Sequence, residues 1–192
     1  MANLLLAAFP PELADLQLSP PGGWVLACTG VGAVAASAAT LELLISHHPE
    51  KVLFVGTCGA YDDRLSLGDL LSAREVVATS LEELEGRAYR PGIEQTRWQA
   101  GWGLPFPPHT VAVPPAITRC AEGARRLAGL ATAEHLELSG VFEACRRQAV
   151  PVAAALVVVN AVGPRAHEEW KTHHAHGSRR LIDALRASGV FG

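Results

Sequence analysis

The sequence has little of what marks a membrane, secreted or nucleic-acid-binding protein. Its opening apolar run is short and no positive charge precedes it, so we expect neither a signal peptide nor a membrane span. The formal net charge is −3 and the arginines are scattered. We therefore expect no nucleic-acid partner and no membrane partner.

The sequence also lacks the closely paired cysteines of a disulfide framework or a zinc site. Its four cysteines, Cys28, Cys58, Cys120 and Cys145, lie far apart and form no C-x-x-C motif. This usage suits a reducing compartment. We therefore expect a cytoplasmic protein without a metal site.

What is present is the length and composition of one globular domain covering residues 1–192, without an internal repeat. A chain of this length buries roughly 70% of the surface that its unfolded form exposes. Predicted strands alternate with predicted helices, which indicates an α/β fold around a buried sheet. The predicted strands are residues 4–9, 24–28, 52–55, 70–78, 110–113 and 152–159. One predicted helix ends near residue 47, and three others cover residues 117–130, 137–150 and 165–190.

The segment from Glu137 to Asn160 carries the strongest pattern in the chain. Apolar residues recur at three- to four-residue steps after Glu137, which predicts a helix with one buried face that ends before Pro151. Residues 152–159 are all apolar, as in a strand buried on both faces. Asn160 follows at the carboxyl end of that strand, where open α/β sheets bind their ligands. Glu137 and Asn160 are therefore candidates for one pocket.

Two glycine-flanked turns are predicted after earlier strands, at residues 29–32 and 56–61. Glycine lets the backbone approach a ligand closely, so both turns could help to build a site. The first has neither the third glycine of a dinucleotide fingerprint nor the lysine of a P-loop. For the second, the alternative interpretation is a tight turn and nothing more.

Two regions carry weaker signals. Between residues 79 and 108 the periodicity fades and Gly, Pro, Trp and Glu dominate, which predicts a long loop or a lid. In the last helix, His173, His174 and His176 are spaced so that they could bind a metal. A solvated helix face is the favoured interpretation of these histidines.

The order and spacing of the short motifs identify the chain as resembling the nucleoside phosphorylase/nucleosidase superfamily. Within it, futalosine hydrolases are the most similar and methylthioadenosine/S-adenosylhomocysteine nucleosidases the next. The resemblance implies a three-layer sandwich with a central mixed sheet, phosphorylase/hydrolase-like. It rests on residues 8–12, 29–32, 56–61, 67–69 and 136–151, and on the ending at residues 160–165 with a tryptophan at 170.

The resemblance implies a role for each residue that matches the family pattern. Glu12 matches the carboxylate that activates the attacking water, although an acid at that place could simply favour the dipole of a short helix. Glu137 matches the carboxylate that grips the ribose hydroxyls, and Asn160 stands where the leaving base is contacted. The other implied substrate-binding residues are Thr57, Cys58 and Leu136 at the sugar, Ile117 in the base loop, and Arg165, which with Trp170 supports the end of the active strand.

These residue types suit cleavage of an N-ribosidic bond, which leaves positive charge on the sugar and negative charge on the base. A carboxylate at the sugar hydroxyls favours the cationic state, a second carboxylate acts as general base for water, and a hydrogen-bond donor stabilises the leaving base. The amide of Asn160 cannot give up a proton. It can donate a hydrogen bond to N7 or to a 6-oxo group, which fits hypoxanthine, the base of futalosine, better than adenine.

Water is the expected acceptor. Related phosphorylases carry an arginine where this chain has Phe54, and residues 9–12 replace their phosphate loop. Without guanidinium groups, a phosphate dianion would lose its hydration and gain few charge-assisted hydrogen bonds in exchange. The sequence therefore predicts a futalosine-type nucleosidase in menaquinone biosynthesis. The alternatives are a purine nucleoside phosphorylase and a degenerate, non-catalytic nucleoside-binding relative. The resemblance further implies a small-molecule nucleoside substrate, a homodimer or higher homo-oligomer, and no cofactor.

Overall fold

The apolar run predicted at residues 152–159 forms the central strand of the sheet. The structure is a computed structural model that describes residues 2–192. In it the run continues to Ala161 as β8 (Val152–Ala161) and lies parallel to β3 (Val52–Ala60), with Val52 opposite Val152. Both strands are buried almost throughout, because helices cover both faces of the sheet.

Within residues 2–192 there are eight strands and five α-helices. The other strands are β1 (Asn3–Ala7), β2 (Trp24–Cys28), β4 (Leu70–Ala78), β5 (Arg97–Gln99), β6 (Pro108–Val113) and β7 (Ala133–Glu134). The helices are α1 (Ala33–His47), α2 (Leu81–Leu84), α3 (Ala121–Ala128), α4 (Leu138–Arg147) and α5 (Ala166–Ala187), and Pro10–Gln17 form a 3₁₀ helix. Over this described range, no helix combines the length and the apolarity that a membrane span requires.

The sheet is mixed, as predicted. Parallel pairs join β1 to β2 and β3, β3 to β8, and β6 to β4 and β7, while β3–β7, β4–β5 and β4–β8 are antiparallel. The pairs β3–β8, β8–β4, β4–β6, β6–β7 and β7–β3 form a closed circuit. This circuit brings the end of β7 beside the end of β3, with β8 on its other side.

Helices cover the two faces of the sheet and complete the three layers. Leu181 and Ile182 of α5 pack into the apolar cluster on one face, and Phe142 of α4 packs with α1 into the cluster on the other. The two helices α1 and α4 approach so closely that a Cβ at Gly140 would lie 2.0 Å from the carbonyl oxygen of Ala33. Only glycine permits this contact, which fixes the start of α4 against the start of α1.

The glycine-flanked segment at residues 56–61 is not the turn that the sequence predicts, because β3 runs through it. The strand contains a register shift just before Gly59. A Cβ at Gly56 would lie 3.1 Å from Nε2 of His135, and one at Gly59 would lie 2.7 Å from Nδ2 of Asn160. The glycines therefore serve close approach of neighbouring side chains instead of a turn.

Two other predictions need correction. Residues 79–108, predicted as a long loop, contain α2, whose amino end is capped by Ser80, and β5, which pairs with β4. The helix predicted over 117–130 begins only at α3. Its amino end lies there because Sγ of Cys120 accepts a hydrogen bond from the backbone N–H of Gly123 at 3.3 Å.

Candidate active site

A pocket with a volume of about 340 Å³ opens at the carboxyl ends of β1, β3 and β8. Ala8 follows β1, Thr57 and Gly59 lie near the end of β3, and Asn160 lies near the end of β8. The beginning of α5, including Trp170, also lines the pocket. Ligands bind α/β sheets at this end of the strands, and the candidate site residues other than Arg165 converge here.

Glu12 lines this pocket although only 3% of it is exposed. Its Oε1 accepts hydrogen bonds from the N–H and the hydroxyl of Thr57, both at 2.8 Å, and its Oε2 accepts one from the N–H of Ala8 at 3.1 Å. Burial raises the pKa of Glu12 to about 7, against the lowering effect of the Thr57 bonds and with a contribution from the nearby charge of Glu137. A carboxyl group with this pKa can accept a proton near neutral pH.

Glu137 is 6% exposed and precedes the first turn of α4. Its Oε1 accepts a hydrogen bond from the N–H of Gly32 at 2.8 Å. Its Oε2 lies 3.1 Å from Nδ1 of His135, which also lies 3.1 Å from the N–H of Glu137. Burial lowers the pKa of His135, so the ring is neutral, and Nδ1 accepts from the backbone amide and cannot donate to the carboxylate. Oε2 of Glu137 is thus left to bind a ligand hydroxyl.

Thr57 connects Glu12 to an aromatic wall of the pocket. Nε1 of Trp170 donates a hydrogen bond to the hydroxyl oxygen of Thr57 at 3.2 Å. The Trp170 ring stacks on His174 at a centroid distance of 4.3 Å and lies tilted against Phe9 at 5.7 Å. The hydroxyl therefore accepts from Trp170 and directs its own proton to Glu12, which fixes the orientation of that carboxyl group.

Asn160 is mostly buried and presents its amide beside the glycine of β3. One N–H of its Nδ2 donates to the carbonyl oxygen of Ala161 at 3.0 Å. An amide nitrogen carries two donors, so the second N–H can bind a ligand atom. A side chain at Gly59 would fill the space beside this amide.

The remaining predicted site residues divide into two groups. Cys58, Leu136 and Ile117 line the pocket. Burial raises the pKa of the Cys58 thiol far above its usual range, so Cys58 is a neutral wall residue and no nucleophile. Arg165 does not line the pocket: its side chain is 85% exposed and lies 3.3 Å from Oε1 of Glu169.

Among the pocket residues that sequence reasoning missed, Glu134 and His135 are the two that are buried and polar. Both are buried, and they come directly before Leu136 and Glu137 in the chain. Glu134 is the last residue of β7, and His135 follows it. Because β7 is only two residues long, it has no periodicity that sequence analysis could detect. A run of charged and polar residues next to a predicted site carboxylate was the available signal.

The other two functional expectations concern a lid and a metal. No described residue between 79 and 108 lines the pocket. Nε1 of Trp102 instead donates to the carbonyl oxygen of Val52, at the opposite end of β3. Among residues 2–192 no group of three His, Cys, Asp or Glu side chains is placed to hold a metal ion, and His174 of the histidine run stacks on Trp170.

The arrangement places the buried carboxyl groups of Glu12 and Glu137 and the amide donor of Asn160 in one mostly apolar pocket. The carboxyl group that titrates near neutrality can take a proton from water. The second can attract a sugar that becomes cationic. The amide can hold a planar polar group that leaves as an anion.

Comparison with known families defines the class. A family model described as the phosphorylase superfamily matches residues 22–136, more than half of the chain. The protein therefore belongs to the phosphorylase superfamily.

The relatives that it resembles are nucleosidases. The 5′-methylthioadenosine/S-adenosylhomocysteine nucleosidase of Shewanella oneidensis is 32% identical over 106 residues, which are 55% of this chain and 43% of that enzyme. The Staphylococcus epidermidis enzyme of the same name is 42% identical over 53 residues, 28% of this chain and 23% of that enzyme. The chain thus spans less than half the length of the curated relatives that it matches.

Solved structures confirm the fold. A futalosine hydrolase mutant of Helicobacter pylori superposes with a TM-score of 0.84 at 17% identity and covers 98% of both chains. A mutant H. pylori methylthioadenosine nucleosidase with 5′-methylthioadenosine in its active site also gives 0.84 at 17% identity, over 97% of both chains. The fold is therefore that of nucleoside phosphorylases and nucleosidases, as predicted.

Proposed function

We propose that this protein is a nucleosidase that hydrolyses the N-ribosidic bond of a purine nucleoside-like metabolite. The observation that carries the proposal is the convergence of Glu12, Glu137 and Asn160 on one pocket. Glu12 acts as the general base for water, Glu137 holds the ribose hydroxyls and Asn160 contacts the leaving base. The superfamily membership and the nucleosidase relatives support the same reaction class.

The titration of Glu12 supports its role as the base. A pKa of about 7 leaves the group partly ionised at neutral pH and strong enough as a base to take a proton from attacking water. The hydrogen bonds from Thr57 and Ala8 hold the carboxyl group in place while it does so. Its Oε1 is reached by the Thr57 hydroxyl, which lies at the aromatic wall where the sugar would pack.

The free oxygen of Glu137 supports its role as the ribose clamp. Oε1 accepts from the N–H of Gly32, whereas Nδ1 of His135, which lies beside Oε2, itself accepts from the backbone N–H of Glu137 and does not donate to Oε2. A carboxylate oxygen with unused lone pairs binds vicinal hydroxyls well, and its negative charge favours the oxocarbenium-like sugar. Leu136 and Cys58 would pack on the ribose from the same pocket.

Hydrolysis is favoured over phosphorolysis by the charge of the pocket. Its described lining contains three glutamates and no arginine or lysine. Phe54, at the position where related phosphorylases carry arginine, is fully buried and packs edge-on against His135. A phosphate dianion would meet like charges here without a compensating cation.

Futalosine is the first candidate substrate, which would place the enzyme in menaquinone biosynthesis. The amide of Asn160 supports it, since an amide N–H can donate to the 6-oxo group of hypoxanthine, and a futalosine hydrolase is among the structures that share the fold. Methylthioadenosine is the second candidate, because the curated relatives are methylthioadenosine/S-adenosylhomocysteine nucleosidases.

The test is release of free base from futalosine, methylthioadenosine and inosine, with and without phosphate. We expect hypoxanthine from futalosine in phosphate-free buffer, with Glu137→Gln lowering kcat/KM by about 100-fold, the range of a lost charge-stabilising contact in a transition state. Release only with phosphate would identify a phosphorylase. Absence of release from a folded sample would favour a non-catalytic nucleoside-binding protein.

A homodimer or larger homo-oligomer is also proposed. Apolar side chains are exposed on and beside α1, where Val31, Val34 and Ile45 are 64%, 86% and 56% exposed. Burial of such a patch between copies removes apolar area from water. Light scattering at micromolar concentration tests this, with Val34→Glu expected to shift the population toward monomer.

A further inference from the structure

A second cavity lies near the amino end of β8, at the other end of the sheet from the pocket. Its volume is about 390 Å³, and its lining includes Ala153 and Ala154 of β8. The strand from Ala153 to Asn160 spans roughly 20 Å of extended chain. This amino-end cavity is therefore separate from the proposed active site, and its chemistry is independent of the proposed function.

The amino-end cavity forms where β4 and β8 separate. The hydrogen-bonded ladder between the two strands ends where Ser72 pairs with Ala155. Beyond that pair, the backbone at residues 100–101 connects the two strands, because its two N–H groups donate to the carbonyl oxygens of Arg74 and Val152 at 2.9 and 2.7 Å. The cavity is thus a gap between two strands that is bordered by hydrogen-bonded backbone.

The lining of the amino-end cavity is apolar apart from one cation. Small side chains such as Ala73 leave the space open, and Trp102 and Phe106 provide large aromatic surfaces. The polar groups of Ser72 and Trp102 already donate hydrogen bonds to backbone carbonyl oxygens. Arg74 is the one ionisable residue in the described lining.

Arg74 lies at a β-bulge and has no acidic partner. The register of β4 with β6 passes from Ala73 directly to Glu75, so Arg74 is unpaired in that ladder. A bulge of this kind redirects the side chain of the extra residue. The carboxylate of Glu75 lies 3.1 Å from Arg97 instead. Across residues 2–192, the exposed side chain of Arg74 forms no ion pair and no hydrogen bond.

The charge around the amino-end cavity is positive. The ammonium group of Lys51 lies 4.7 Å from the ring centre of Trp102, and no acidic residue belongs to the described lining. The pocket at the carboxyl ends of the strands has the opposite character, since three glutamates line it. An anionic ligand is therefore attracted to the amino-end cavity and repelled from the pocket.

We propose that the amino-end cavity is a second ligand site, which binds a small carboxylate with an aromatic body. The carboxylate pairs with Arg74, because a guanidinium group forms charge-assisted and often bidentate hydrogen bonds with it. The ring packs against Trp102 and Phe106, which removes apolar area from water. The cavity volume lies within the range of small-molecule sites, roughly 300–1,000 Å³.

The experiment is an NMR titration of the full, nitrogen-labelled chain with hydrocinnamate, followed through the indole N–H signals of the tryptophans. Trp102 reports on the amino-end cavity and Trp170 on the pocket. We expect the Trp102 signal to move saturably with a Kd of about 1 mM or lower, and the Trp170 signal to stay in place. Hydrocinnamamide, a neutral amide of the same shape, should bind at least about tenfold more weakly.

Arg74→Gln should weaken the binding of hydrocinnamate by about 10- to 100-fold, the value of one hydrogen bond to a charged group. Arg97→Gln is the matched control, since Arg97 is also an exposed arginine at this side of the sheet but pairs with Glu75 and does not line the cavity. Its Kd should stay within about twofold of the wild type.

Three outcomes overturn the inference. The first is a Trp102 signal that does not move, or movement of the Trp170 signal alone, which would place the ligand in the pocket. The second is a folded Arg74→Gln variant that binds hydrocinnamate as tightly as the wild type. The third is equal affinity of the wild type for hydrocinnamate and hydrocinnamamide, a measurement that does not depend on the folding of any variant.

Discussion

The two ends of the parallel strands carry opposite chemistry. At the amino end, the ammonium group of Lys51 lies 5.4 Å from the ring centre of Trp24 and 4.7 Å from that of Trp102. The carbonyl oxygen of Val52 there accepts a hydrogen bond from Nε1 of Trp102, and that of Val152 accepts one from the N–H of Gly101. At the carboxyl end, three glutamates are buried around one pocket.

The difference shows that contacts at the amino end stabilise the fold, whereas buried charge at the carboxyl end destabilises it. The amino end combines cation–π contact, aromatic packing and satisfied backbone groups, each of which stabilises the fold. The carboxyl end buries Glu12 in an apolar setting near the charge of Glu137. Burial, with a smaller contribution from that charge, raises the pKa of Glu12 and opposes folding when the group ionises. Local departures from stabilising rules of this kind are expected at functional sites.

The largest effect is expected from the base itself. Glu12→Gln keeps the volume and removes the proton acceptor, so kcat for release of base should fall by about 10²- to 10⁴-fold. The matched control is Asp15→Asn in the same 3₁₀ helix, since Asp15 is exposed and pairs with Arg186 outside the pocket. Activity within a few-fold of the wild type in Glu12→Gln would falsify the assignment.

A pH titration of stability should separate the two ends of the sheet. The pKa of Glu12 is raised from 4.5 to about 7 in the folded state, so its contribution to stability is present below about pH 4.5 and lost as the pH rises through 7. The free energy of unfolding should decrease by about 3 kcal/mol over this window relative to Glu12→Gln. Urea denaturation of both proteins at pH 5 and pH 8 measures it. Parallel pH dependence of the two proteins would contradict the raised pKa.

A substitution at the amino end of the strands should change stability and leave activity nearly unchanged. Trp102→Ala removes a hydrogen bond, a cation–π contact and apolar packing, and should lower the free energy of unfolding by about 2 kcal/mol. Because Trp102 contacts the opposite end of β3 from the pocket, kcat/KM should stay within twofold at a temperature where the variant is folded. Loss of activity without loss of stability would mean that the two ends are coupled.

The sequence was sufficient for the strands that are long and apolar and for two polar side chains near them, a carboxylate and an amide. Residues 152–159 and 24–28 are strands as predicted, and Glu137 and Asn160 do line one pocket. These features are local, because an unbroken apolar run and the residue that ends it can be identified without a partner strand. Their roles in catalysis remain predictions.

What the sequence could not reveal depends on contacts between distant segments. The glycines at 56 and 59 signalled a turn, but β3 continues because His135 and Asn160 need the space beside them. Glu134 enters the pocket through a two-residue strand that exists only by pairing with β3 and β6. Neither fact has a periodic signal in the chain.

The smallest expected effect tests whether the aromatic wall acts on Glu12 through Thr57. Trp170→Phe keeps a ring against Phe9 and His174 and removes the N–H that donates to the Thr57 hydroxyl. Loss of one such bond should lower kcat by about fivefold, the equivalent of about 1 kcal/mol.

A pH–rate profile distinguishes this positioning role from a loss of packing. The hydrogen bond from Thr57 lowers the pKa of Glu12, so a less well fixed Thr57 should move the acidic limb of the profile to higher pH. Trp98→Phe is the control, since its Nε1 donates to Glu143 on α4, away from the pocket. An acidic limb that stays in place in Trp170→Phe would show that Trp170 only forms a wall of the pocket. The pKa of Glu12 would then be set without Trp170, by burial and by its direct neighbours Thr57 and Ala8.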